Sequence, residues 1–86
     1  MGDWADIAGV VRNGGVPADR AYVTVRDPEG NFTGERRTEV GGEGRFSFHL
    51  SAGSWLLEAV APGTERVTTE LELRPGEEAV VEIELS

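Results

Sequence analysis

The feature that most narrows the fold is a two-residue alternation of apolar and polar side chains, broken by Gly-, Pro- and Asn-containing clusters roughly every eight to twelve residues. A strand points successive side chains to opposite faces, so this period builds sheets with one face buried. Arg45-Phe46-Ser47-Phe48-His49 puts both Phe on one face. Val67, Thr69, Leu71 and Leu73 share a face, with Arg66, Thr68, Glu70 and Glu72 on the other. In the last segment Val81, Ile83 and Leu85 point in while Glu82 and Glu84 point out. No window keeps apolar spacings of three and four without an interrupting Gly or Pro, so no helix is expected.

Seven strands follow, at residues 6–12, 21–26, 32–40, 45–49, 55–60, 65–73 and 79–85. Short strands at this spacing predict an all-β chain folded as a seven-stranded antiparallel β-sandwich. The 86 residues suffice for one domain, 1–86, with 1–5 as a flexible lead. The expected core is Ile7, Val11, Val23, Val25, Phe46, Phe48, Trp55, Leu57, Val67, Leu71, Val81 and Ile83. Val16-Pro17-Ala18 reads as loop, because Pro cannot donate to a central ladder. Residues 32–40 are charged on both faces, which suits an edge strand guarded against pairing with other chains. If the loop 74–78 closes a hairpin, Leu71 faces Val81 and Glu70 sits opposite Glu82.

Charge and composition exclude several functions. The net charge is −8, from 16 acidic and 8 basic residues, so nucleic acid and anionic membrane are poor partners. There is no Cys, hence no disulfide, thiolate nucleophile or Cys-ligated metal. There is no Lys, which excludes Schiff-base chemistry and a phosphate-loop lysine. No apolar run approaches transmembrane length, and Met1-Gly2-Asp3-Trp4 lacks the basic and apolar regions of a signal peptide. The expected location is the cytoplasm.

Particular segments resemble the carboxypeptidase-regulatory-like domains, which are transthyretin-like Greek-key sandwiches of the broader Ig-like kind. The resemblance is carried by Gly9-Val10-Val11, Gly15-Val16-Pro17-Ala18, Ala21-Tyr22-Val23-Thr24-Val25, Thr38, Gly44-Arg45-Phe46-Ser47-Phe48, Ala52-Gly53-Ser54-Trp55 and Leu57. It spans Ile7 to Leu85 and implies an accessory role beside an enzyme, in a cell-surface stalk or in an interaction domain. Those residues are turn glycines and core aromatics, which specify a fold and name no active site. The transthyretin-like hydrolases use several His and a basic site residue, and isopeptide-bonded adhesin repeats need Lys; this chain has one His and no Lys. Ala21-Tyr22-Val23, Gly30-Asn31-Phe32-Thr33 and Ala52-Gly53-Ser54-Trp55 are also similar to a small actinobacterial family linked to sulfur metabolism, whose members carry a Cys-containing extension.

His49 is expected on the outer face with Arg45 and Ser47. A general base must reach its nucleophile, and Ser47 stands roughly 6–7 Å along the strand, so His49 reads as a solvated surface residue. Asp27, Glu29 and Asn31 alternate through one loop, but fall short of the six to eight oxygens that Ca²⁺ takes. Pro28 and Gly30 already explain that loop as a turn. No metal or cofactor is expected. Glu70, Glu72, Glu82 and Glu84 form one expected acidic face, which is either a solvated surface or a site for a basic protein partner. An Arg from a neighbouring strand or the partner would then relieve the repulsion between facing carboxylates. Arg36 and Arg37 form a basic pair on the expected edge strand, open to strand addition or to head-to-tail self-association with the acidic face. Trp4 reads either as a cap on the open end of the sandwich or as a partner anchor. The reading is a non-catalytic interaction or accessory module; the alternatives are a structural subunit of a virion or cell-surface assembly, and an accessory protein of sulfur metabolism.

Overall fold

The computed structural model describes residues 3–39 and 41–85. All regular structure is β: β1 (Trp4–Asn13), β2 (Val16–Pro17), β3 (Tyr22–Arg26), β4 (Phe32–Arg37), β5 (Arg45–Ser51), β6 (Gly53–Val60), β7 (Val67–Leu73) and β8 (Glu78–Leu85). The strands form two four-stranded sheets. In the first, β1 is central: β5 and the two-residue β2 pair along one side, and β8 along the other. The second has the order β4-β3-β6-β7 and is antiparallel throughout. The sheets stack with β4 over β5 and β7 over β8, giving the sandwich two unlike lateral sides. No helix of the described residues is long and apolar enough to cross a membrane.

The sandwich and its period-2 core match the sequence reading, with three differences. The first concerns the strand count: Val16 and Pro17 pair with Asn13 and Arg12, adding an eighth short strand at a sheet margin, where Pro is tolerated. The second concerns the start of the chain. Trp4 and Ala5 belong to β1 and Ala5 is buried; Asp3 accepts the amide of Ala52. Residues 3–5 are therefore tied down, while Met1 and Gly2 of the expected flexible lead lie outside the described residues. Val40, expected to end the third strand, also lies outside them.

The third difference changes the topology. The last two strands do not form a hairpin. β7 pairs with β6 in one sheet, and β8 runs parallel to β1 in the other, from Asp6↔Glu78 to Asn13↔Leu85. The connecting loop binds β1 instead of closing on itself. Gly76 donates to the Trp4 carbonyl (2.8 Å), and Asp6 donates to the Glu77 carbonyl (2.9 Å). These bonds carry the chain across the sandwich and start β8 in register beside β1. The sheet is mixed, and its one parallel pair is invisible to alternation, which reports faces and not neighbours.

Of the expected core, Ile7, Val11, Val23, Val25, Phe46, Phe48, Leu57 and Ile83 are buried. Trp55, Val67, Leu71 and Val81 face the same core but are only half-buried. Ala5, Ala18, Ala21, Ala59 and Ala61 join it, with Leu50, Leu73 and Leu85. Gly9 is required in the middle of β1, because the Phe46 ring lies across it and a Cβ there would overlap the ring. Gly44 combines a φ of 71° with close approach to the Val11 carbonyl, and in return its own carbonyl accepts the Val11 amide (2.8 Å).

Among the described residues Thr38 is the one buried polar residue, and its hydroxyl both donates and accepts. It donates to the Ala18 carbonyl (2.8 Å) and accepts the Ala21 amide (2.9 Å). The Thr38 amide donates to Ala21 (2.8 Å), and its carbonyl accepts Arg20 (3.0 Å). Four hydrogen bonds thus clasp the segment after β4 to the loop before β3, and a buried polar group fully satisfied in this way fixes geometry at little cost.

Candidate functional site

The four expected acidic residues do not share a face. Glu70 and Glu72 project from the outer face of the second sheet, beside Leu56 and Ser54 of β6. Glu82 and Glu84 project from the outer face of the first sheet, beside Val10 and Arg12 of β1. The pairs therefore lie on opposite outer surfaces of the sandwich, and Glu70 does not oppose Glu82. What unites them is the lateral side, since β7 and β8 are both edge strands there.

Their surroundings also differ. Glu82 lies 3.4 Å from the Arg12 guanidinium, and Glu84 accepts the Gly15 amide (2.8 Å). The repulsion expected between Glu70 and Glu82 therefore does not arise, and Arg12 of the neighbouring strand pairs with Glu82 alone. The Glu70 and Glu72 carboxylates make no ion pair or hydrogen bond with the described residues. They stand instead at a shallow cleft of about 540 Å³, lined also by Pro28, Ser54, Trp55 and Leu56. The Trp55 indole is fixed by donating to the Ser51 carbonyl (2.9 Å). Leu56 beside two carboxylates that pair with no cation among the described residues suits a positively charged side chain with an aliphatic stem.

The Arg pair is split by the pleat. β4 is an edge strand, as expected, and Arg36 lies opposite the inward Val23 while Arg37 lies opposite the outward Tyr22. The Arg36 guanidinium crosses to the other sheet and sits 5.0 Å from the Phe48 ring centroid, a cation–π contact that closes this lateral side. Of the two, only Arg37 faces outward on the surface that carries Glu70 and Glu72, where Arg26 of β3 is paired with Glu58. Consecutive basic residues on a strand cannot form one patch, and alternation alone could have separated them.

His49 is exposed and points away from Phe48, as the alternation requires. The β1–β5 register places it opposite Asp6, and its Nδ1 lies 2.6 Å from Asp6 Oδ1. Trp4 stacks on the imidazole at 5.0 Å with the rings 10° apart. Trp4 is therefore the first residue of β1, laid on the outer face of the first sheet, and does not cap the end of the sandwich. Ser47 is opposite Ala8, and His49 has no hydroxyl partner among the described residues.

The Asp27 loop is organised by hydrogen bonds. The carboxylate accepts the amides of Asn31 (2.9 Å) and Glu29 (3.0 Å) and the Asn31 side-chain amide (3.1 Å). The Asn31 backbone N–H, followed by its side chain and the Glu29 and Gly30 amides, holds the Asp27 carboxyl below its ordinary value. Its oxygens are turned into the loop, where they close the β3–β4 turn.

A family model described as carboxypeptidase regulatory-like domain matches residues 6–86. No curated protein matches the chain. Among solved structures, the Bacillus anthracis TIE protein is similar at a TM-score of 0.80 and 15% identity, over 96% of this chain and 16% of its own. The 3-chlorocatechol 1,2-dioxygenase of Rhodococcus opacus 1CP is similar at 0.74 and 14%, over 99% of this chain and 60% of its own. The catechol 1,2-dioxygenase of Acinetobacter sp. ADP1 is similar at 0.75 and 12%, over 99% and 53%. At these identities the likeness concerns the fold, and in every case this chain spans only part of the similar protein's length.

Proposed function

The chain belongs to the carboxypeptidase regulatory-like domain family, and from that premise we propose that it is a non-catalytic accessory module. It engages a basic protein partner on the lateral side bordered by β7 and β8. One contrast carries this reading: Glu82 and Glu84 are held by Arg12 and Gly15, whereas Glu70 and Glu72 border a cleft of mixed polarity and pair with no cation among the described residues. The family's description as a regulatory-like domain supports an accessory role, as does the similar sandwich that forms a small part of the TIE protein.

The test is fluorescence anisotropy with a labelled nona-arginine peptide across a salt series from about 20 to 200 mM. Affinity should fall as salt rises, and the double variant Glu70→Arg/Glu72→Arg should weaken it by at least about tenfold. Glu82→Gln/Glu84→Gln should have the smaller effect. Absence of binding at the lowest salt, or binding indifferent to the Glu70 and Glu72 changes, would overturn the reading.

A second reading, a subunit that assembles with its own copies, is favoured by the separation of charge. Arg37 faces outward at the β4 edge, opposite the β7 edge that carries Glu70 and Glu72, while Arg36 is engaged on Phe48 and Arg45 on Glu43. Light scattering distinguishes the two: the interaction module stays at the monomer mass of 9.2 kDa, whereas the assembling subunit gains mass at low salt and loses that gain on Arg37→Glu.

A further inference from the structure

We propose that β7 accepts an extended segment of the partner as a fifth strand of the second sheet. That segment carries two basic residues, two positions apart, facing Glu70 and Glu72, with an apolar residue between them that closes the sandwich over Leu71. The proposal rests on the reading of the β7/β8 side as a docking surface, and names the partner's chemistry there.

Three observations support it. First, β7 is hydrogen-bonded only to β6 among the described strands, so its outer row of N–H and C=O groups is open to another strand. Second, it lacks the devices that block such pairing. It runs seven residues without Pro, its register with β6 has no bulge, and its inward positions Val67, Thr69, Leu71 and Leu73 are uncharged. The opposite edge, β4, has a register shift at Val25/Arg26 and turns Arg36 inward.

Third, part of the core is open on this side. Leu73, Ile83 and Leu85 of the two edge strands are buried, but Val67, Leu71, Ala79 and Val81 are half-buried, whereas the inward Phe46, Phe48 and Leu50 of β5 are all buried. Side chains of an added strand alternate as those of β7 do. Those on the outer face land beside Glu70 and Glu72, where carboxylates would be repelled and Arg or Lys attracted. The residue between them points inward and covers Leu71. Main-chain bonds would supply affinity, and the basic–apolar–basic alternation would supply specificity.

The experiment titrates the full ¹⁵N-labelled chain with three peptides of about seven residues. One alternates Arg and Val, one holds the same residues as an Arg block followed by a Val block, and one is the alternating peptide N-methylated at every second residue. The alternating peptide should bind at least about tenfold tighter than the block isomer. N-methylation on the pairing edge should remove that advantage, and hydrogen exchange should slow at amides of Val67–Leu73. Glu70→Gln/Glu72→Gln should weaken binding but leave the slowed amides in place. Equal binding of the first two peptides with unchanged exchange would overturn strand addition while leaving acidic docking intact. No binding by any peptide would overturn both. Slowed amides on β5 or β8 in place of β7 would refute the assignment of the edge.

Discussion

The two edges of the second sheet are built from similar material and treated differently. β4 and β7 are each bonded to one neighbour and each carries charged residues on its outer face. β4 is finished: Arg36 covers Phe48, and Thr38 anchors the segment that follows. β7 buries Leu73 but leaves Val67 and Leu71 half-buried inside, with the Glu70 and Glu72 carboxylates unpaired among the described residues outside. Counting charges along a strand therefore says little about whether an edge is protected. What decides it is whether a charge points inward across the seam and whether the strand's ends are locked.

Mutations can break or sharpen this contrast. The largest effect is expected at the β4 anchor. Thr38→Val leaves the Ala21 N–H and the Ala18 C=O buried without partners, at about 2–4 kcal/mol. For a domain of this size that lowers the midpoint of thermal unfolding by roughly 10–20 °C, measurable by calorimetry, and native-state exchange should quicken first in β4. Arg36→Ala removes the lid over Phe48. A loss of about 1 kcal/mol is expected, with concentration-dependent self-association by light scattering as the β4 edge is exposed. If Arg36→Ala stays monomeric at all concentrations, the inward Arg is not what protects this edge.

The acidic pairs should separate next. Glu84→Ala should cost about 0.5–1 kcal/mol through the lost bond to Gly15. Glu70→Gln/Glu72→Gln should fall within about 0.5 kcal/mol of the parent in denaturant unfolding, because no internal contact is removed. The smallest effect is at the β3–β4 turn. Hydrogen bonding holds the Asp27 carboxyl below its ordinary value of 3.8. Its contribution is therefore complete above that value and is lost as pH falls through the lower, folded one. In an NMR pH series the Asp27 midpoint should lie below 3.8, and the Glu29 and Asn31 amide shifts should move with it.

Much of the fold was legible in the sequence because period 2 is a local signal. The inward faces of β1, β3, β5, β7 and β8 follow from it residue by residue, and so does the edge character of residues 32–37. Neighbour relations do not. Whether β8 returned beside β7 or crossed to β1 was decided by hydrogen bonds from Asp6 and Gly76, which alternation does not encode. The same gap hid the candidate site. Four glutamates on two alternating strands look like one face until the strands prove to belong to different sheets. Thr38 was concealed in a charged run, and its burial depends on two carbonyl and amide groups about twenty residues away in the chain. The Trp4, His49 and Asp6 cluster needed the β1–β5 register, which a turn sequence alone does not set.

The parallel pairing of β1 with β8 has a mechanical consequence. Because the two strands run side by side in the same direction, the chain enters at one end of the sandwich and leaves at the other, about 25 Å away by the rise of a strand. Tension applied between those ends would slide β1 along β8 and load their shared ladder, from Asp6↔Glu78 to Asn13↔Leu85, in shear and all at once. A domain strung in this way behaves as a stiff link in series, resisting extension through its two terminal strands of the first sheet while the second sheet stays free of load.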